Sequence, residues 1–152
     1  MRTLLRSLMH ALGVKQVIEC ADGASGYEEL REKKPDFVLT DLSMKPIDGI
    51  EFTKMVRTAH DSPNPYVPIV MVTGHTERAR VTAARDAGVT EFLAKPITAQ
   101  SLLLRITEIV ERPRPFVRCE TYFGPDRRRR ADAEYAGPFR RQEDFKDDVE
   151  LR

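Results

Sequence analysis

The sequence predicts a doubly wound α/β domain: a parallel sheet with helices on both faces. Three observations carry this reading. Strand-like and helix-like segments alternate with short links over residues 1–112. The strand-like runs Asp36–Thr40 and Val67–Val72 are continuously apolar in the middle, as strands covered on both faces are. The helix-like segments carry apolar residues three and four positions apart, so each has one face to bury.

Taken in order, Leu4, Leu5, Leu8, Ala11 and Leu12 recur at helical spacing, and Gly13 is a C-terminal stop. Val17-Ile18-Glu19-Cys20 is a short strand candidate. Ala24, Tyr27 and Leu30 mark a helix that must end before Pro35. Asp36–Thr40 is the next strand, and Ile50, Phe52, Met55, Val56 and Ala59 define the helix after it. Asp48 is placed to assist the turn into that helix, and is not read as a ligand. Val67–Val72 is the strongest strand. Gly74 or Thr76 opens a helix holding Val81, Ala83, Ala84 and Ala87, which Gly88 closes. Val89–Ala94 is a further strand. Thr98 is a good N-cap for a last helix with Leu102, Leu103, Ile106, Ile109 and Val110.

After Arg112 the character changes. Pro113, Pro115, Pro125 and Pro138 interrupt any period, and charge dominates: a basic run Arg127–Arg130 and an acidic end from Glu143 to Glu150. The division expected is a folded unit over 1–112 and a charged, flexible extension over 113–152, with one ordered patch around Tyr122-Phe123-Gly124.

Composition bounds the function. A 152-residue chain with 41% apolar and 32% charged residues is long enough for one domain with a real core. Its net charge of +1 gives no general pull toward nucleic acid or membrane. The two cysteines, Cys20 and Cys119, have no metal-ligand or CxxC spacing, so free thiols are expected. His10, His60 and His75 are scattered. No apolar run approaches the roughly 18 residues of a membrane span, and the first residues lack a signal-peptide pattern. A cytoplasmic protein is expected.

Chemistry in an open α/β sheet gathers at the carboxyl ends of the strands. Three such ends here offer an acid (Asp41), a hydroxyl (Thr73) and an ammonium followed by proline (Lys95-Pro96). Any one of them alone reads blandly: a turn-former, a β-branched strand residue, a solvated charge. Together they point to a site that handles a phosphoryl group.

Asp41-(x)2-Met44-(x)4-Gly49, Val70-Met71-Val72-Thr73-Gly74, Ala87-Gly88-Val89 and Phe92-Leu93-Ala94-Lys95-Pro96 together resemble the receiver domain of two-component response regulators, over about residues 1–112. That resemblance implies a flavodoxin-like fold with strand order 2-1-3-4-5. It implies that Asp41 accepts a phosphoryl group from a histidine kinase or phosphotransfer protein, with Thr73 and Lys95 stabilising the transferred group. Mg²⁺ would be held by Asp41 and the main-chain carbonyl of Ser43. The Lys95–Pro96 bond would be cis, and Thr73 and Phe92 would form the switch that alters a protein-docking face. A signalling module rather than a turnover enzyme is expected, and homodimerisation stays open.

The chain departs from that pattern at one place. Met1 falls inside what should be the first helix, so the first strand and its terminal acidic pair are absent, and neither Asp22 nor Asp36 stands at a position to replace them. Either a longer chain precedes Met1, or the domain is truncated and completed by a partner strand. Magnesium affinity is then in doubt. Two rival functions follow: a phosphorylation-independent adaptor, and a nucleic-acid-binding regulator using Arg127–Arg130. Acidic neighbours and the lack of interleaved aromatics disfavour the second.

Overall fold

The computed structural model describes residues 1–74, 78–128 and 148–150. Five helices and a parallel sheet make up the main body: α1 (Arg2–Ala11), α2 (Gly23–Lys33), β1 (Val38–Asp41), α3 (Gly49–Thr58), β2 (Ile69–Thr73), α4 (Arg78–Ala87), β3 (Glu91–Ala94) and α5 (Ala99–Glu111). The sheet order is β1-β2-β3, all parallel, with Val38 opposite Ile69 and Val70 opposite Glu91.

Helix boundaries follow from local chemistry. Asp22 accepts a hydrogen bond from Ser25 N at 2.9 Å, closing a capping box on α2. Lys34 ends that helix in the left-handed region (φ 47°), just before Pro35. Asp48 caps α3 by accepting from Ile50 N and Glu51 N, and Glu51 returns the contact to Asp48 N. Thr98 caps α5 through Ser101. The residues that would open α4, His75 and Thr76 among them, lie outside the described residues.

All five residues of β2 are buried. One side of the sheet packs Val70, Val72 and Leu93 against Met9 of α1 and Leu102 and Ile109 of α5. The other joins Ile69 to Leu30, Phe52 and Val56 of α2 and α3. At about 1.5–3 kcal/mol for each fully buried large apolar side chain, these two layers dominate the folding free energy.

Two expectations are corrected. Val17–Cys20 is not a strand: it runs extended but joins no ladder among the described residues. Among those residues the parallel sheet has three strands. The flexible extension expected over 113–152 is ordered for part of its length. β4 (Phe116–Cys119) and β5 (Tyr122–Pro125) form an antiparallel hairpin about Glu120-Thr121, and β6 (Asp148–Glu150) pairs with the far edge of β4. The patch expected at Tyr122-Phe123-Gly124 is one arm of that hairpin.

The hairpin is seated by aromatic burial and by Arg57 of α3. Phe116, Phe123 and Tyr66 form a cluster with ring centroids 5.1–5.7 Å apart. The Arg57 guanidinium lies 5.0 Å over the Phe116 ring and donates to Gly88 O, Pro65 O and Val67 O at 2.7–3.0 Å. Burial pushes this guanidinium down to about 9, so it stays charged at neutral pH. Gly88 (φ +104°) and Gly124 meet backbone to backbone; a Cβ on Gly124 would stand 2.9 Å from Gly88 Cα.

Arg57→Leu strands three carbonyls and removes the platform under Phe116. Loss of about 3 kcal/mol is expected, lowering Tm by about 10 °C in a domain of this size. A thermal or urea melt within error of the unsubstituted protein would show that the hairpin does not depend on Arg57.

Candidate functional site

The register of the sheet assembles the site. Asp41 ends β1 opposite Val72, and Thr73 ends β2 opposite Ala94, so β1, β2 and the residue after β3 terminate side by side. The Lys95 amide donates to Thr73 O at 2.9 Å, which extends the ladder by one residue and fixes where the lysine starts. Its side chain then reaches Asp41: Nζ lies 2.9 Å from Oδ2. The other carboxylate oxygen accepts from Ser43 N at 2.9 Å. Asp41 is 17% exposed and Lys95 37%, so the pair sits at the rim, open to an incoming group. Thr73 is buried, at the end of the strand between them.

Glycine makes two of these approaches possible. Gly49 N donates to Leu42 O, and a Cβ at Gly49 would overlap Asp41 O while standing 3.0 Å from Met71 Cε. The spacing from Asp41 to Gly49 is thus set by a steric contact. A Cβ on Gly74 would stand 3.3 Å from Lys95 Cδ, so the lysine stem crosses a position without a side chain. Arg80 of α4 reaches the same loop, with Nη1 3.4 Å from Ser43 Oγ. Sequence reading did not single out Arg80, and no signal short of its helix position would have found it.

The Lys95–Pro96 peptide is cis, and so is Lys45–Pro46 in the loop after Asp41. Phe92 is half-buried and packs against the cluster of Leu42, Met71, Ala84 and Val89, between the sheet and α4. Asp48 serves as the cap of α3. His10 Nδ1 lies 3.1 Å from Val14 O, at the end of α1, and His60 is exposed. Both cysteines are free. Among the described residues no group of three or more His, Cys, Asp or Glu side chains gathers as a metal cage. No helix among them is long and apolar enough to cross a membrane. Of the basic run, Arg127 pairs with Asp86 at 3.1 Å and lies 4.1 Å over the Tyr122 ring, and the Arg128 amide donates to Asp126. Arg129 and Arg130 are outside the described residues.

The parallel α/β sheet brings an acid, a hydroxyl and a lysine to adjacent carboxyl ends, and comparison with known proteins shows the family. The response regulator receiver domain model matches residues 1–107. The chemotaxis protein CheY-3 of Vibrio cholerae is 32% identical over 112 residues, covering 74% of this chain and 85% of that one. The chemotaxis protein CheY of Pseudomonas aeruginosa is 34% identical, covering 74% and 89%. Among solved structures, the Vibrio cholerae chemotaxis protein CheY4 superposes with a TM-score of 0.65 at 26% identity, covering 71% of this chain and 88% of that one. The receiver domain of a sensor histidine kinase from Pseudomonas aeruginosa PAO1, solved with magnesium in its active-site cleft, gives 0.64 at 24% identity over 72% and 88%. The chain belongs to the response regulator receiver family, and so to two-component signalling.

Gly49→Ala forces the Asp41 carbonyl and its loop to shift. A cost of about 1–3 kcal/mol is expected, together with altered amide chemical shifts at Asp41 and Ser43. An unchanged melt with unchanged shifts at those two amides would dismiss the steric account of the spacing.

Proposed function

We propose that Asp41 accepts a phosphoryl group from a phosphohistidine of a histidine kinase or phosphotransfer protein, and that the domain signals by protein contact. The observation that carries this is the 2.9 Å contact between Lys95 Nζ and Asp41 Oδ2 at neighbouring strand ends. A carboxylate is a weak nucleophile, so positioning and charge must supply most of the catalysis. Ser43 N orients the carboxylate, leaving Oδ2 on the side of the lysine. Attack by Asp41 forms an O–P bond as the N–P bond to the donor imidazole breaks. The imidazole leaves with the electron pair. Lys95 neutralises charge on the transferred oxygens, and the Thr73 hydroxyl donates to one of them.

A magnesium ion would be held by Asp41 and the Ser43 main-chain carbonyl, and would neutralise phosphoryl oxygens. Two protein oxygens suit a cation that keeps several waters, but they make a weak site on their own. After transfer, Thr73 would turn toward the phosphoryl group. Phe92, packed beside Ala84 of α4, would follow into the space. The face formed by α4, β3 and α5 would then change its partner preference. Arg127 is 13% exposed and already engaged with Asp86 and Tyr122, which speaks against the basic run as a nucleic-acid surface.

The test is intact mass after incubation with Mg²⁺ and acetyl phosphate, with Asp41→Asn and Lys95→Met alongside. One labile phosphoryl group is expected, absent in Asp41→Asn. Lys95→Met should slow its appearance by about a hundredfold, the scale of losing one charge-stabilising donor. Equal labelling of Asp41→Asn would refute the assignment. No labelling of the unsubstituted chain would favour a phosphorylation-independent adaptor.

A further inference from the structure

The loop after Asp41 touches a second cation besides Lys95. Ser43 N donates to Asp41 Oδ1 at 2.9 Å, while the hydroxyl of the same residue accepts from Arg80 Nη1 at 3.4 Å. One residue thus stands between the carboxylate and a guanidinium carried by α4. Lys95 reaches the other oxygen, Oδ2, from just beyond the end of β3. The carboxylate is therefore flanked by two cations from two elements, Lys95 on the Oδ2 side and Arg80, through Ser43, on the Oδ1 side.

Arg80 is not placed as an ordinary solvated surface charge. It is half-buried. Arg31, Arg85, Arg105 and Arg127 each pair with a carboxylate at 2.7–3.4 Å. Among the described residues, Arg80 has a neutral hydroxyl as its partner and no carboxylate. A bond of 3.4 Å is long for N–H to oxygen, and so is readily exchanged for a better acceptor. Arg80 is also the third residue of α4, whose first turn holds no acidic side chain. The positive end of a helix dipole disfavours a cation and favours an anion. An anion in front of that turn would offset both.

We propose that Arg80 is a second cation of the phosphoryl site and grips oxygens of the group transferred to Asp41; this rests on Asp41 being the acceptor. Transfer joins an Asp41 oxygen to phosphorus as the bond from phosphorus to the donor breaks, and the donor atom keeps the electron pair. The charge of the carboxylate is lost to the new bond, and about two negative charges arrive on the phosphoryl oxygens. Before transfer, Lys95 balances Asp41 one for one. Afterwards a single ammonium faces a dianion. Arg80 supplies the missing charge. Its planar fork offers two parallel N–H donors to phosphoryl oxygens, a pairing shorter and stronger than its contact with a hydroxyl. Ser43 Oγ holds the guanidinium at the mouth of the site until that group arrives. The charge is carried by the chain itself, so it is present at any magnesium concentration.

The experiment incubates the intact chain and its Arg80→Gln and Arg80→Ala variants with Mg²⁺ and acetyl phosphate, and follows the labelled fraction by intact mass. Arg80→Gln should slow labelling by about tenfold, less than Lys95→Met, because this guanidinium meets the carboxylate only through Ser43. Guanidinium chloride well below denaturing concentrations should restore the rate of Arg80→Ala, and sodium chloride at equal ionic strength should not. An Arg80→Gln rate within error of the unsubstituted chain would overturn the proposal. Failure of guanidinium to restore the rate would overturn it too, by making Arg80 a mere prop for the loop. If the unsubstituted chain takes no label, acceptance by Asp41 is refuted and a second measurement decides on Arg80. Inorganic phosphate is titrated into Asp41→Asn, which keeps both cations without the carboxylate charge, and the Ser43 amide shift is read. Adding Arg80→Gln should raise the Kd by about fivefold, the scale of a half-exposed charge pair. Equal Kd values, or no phosphate binding to Asp41→Asn, would overturn the proposal.

Discussion

Ile69–Thr73 exposes no side chain to water and is hydrogen-bonded along both edges, and the remainder of the molecule is arranged around that strand. Its register against β1 sets Asp41 beside Val72, and its register against β3 sets Ala94 beside Thr73. A slip of one residue on either side would turn core side chains outward and separate the carboxylate from the ammonium. Burial therefore specifies the register, and the register specifies the site. The Asp41–Lys95 pair is half-open to solvent and contributes little to stability by itself. Its geometry is inherited from the apolar contacts beneath it.

Arg57 shows the opposite arrangement, a charge used inside the protein. It satisfies three carbonyls from two connections, Gly88 O after α4 and Pro65 O and Val67 O in the loop before β2, and it supports the Phe116 ring. The hairpin thereby rests on the helix that starts at the Asp41 loop and on the end of α4. Arg80 ties the other part of α4 to Ser43. One helix is therefore held to the loop after Asp41 and to the C-terminal hairpin at once. A rigid element fastened at two points is the kind of structure through which a local charge event can be felt at a distance.

The main body was legible in the sequence because its helices carry a periodic apolar face and three of them, α2, α3 and α5, open on a capping side chain. Thr98 caps its helix as expected, Asp48 makes the turn into α3 as its cap, and Asp22, which the sequence reading did not single out as a cap, closes α2 in the same way. Asp41, Thr73 and Lys95 were legible because strand ends can be located from apolar runs alone. Val17–Cys20 misled, since β propensity reflects how well a residue fits beside neighbours, and no strand among the described residues lies beside it. The hairpin was mostly missed for the converse reason: its charged, proline-rich surroundings concealed Phe116-Val117 and Tyr122-Phe123, whose stability comes from Tyr66 and Arg57 far away in sequence. Long-range contacts of that kind leave no local trace.

Asp41 closes β1, and the pairing of that strand bears on how firmly the carboxylate is placed. A strand laddered on one edge is held by about half the main-chain bonds of an inserted one, and such segments open at lower cost. Asp41 stands at the end of that strand, so its position depends on a ladder that, among the described residues, is paired on one side. Lys95 and Ser43 N hold the carboxylate from the other side, so the two contacts made by its own oxygens carry a larger share of its positioning.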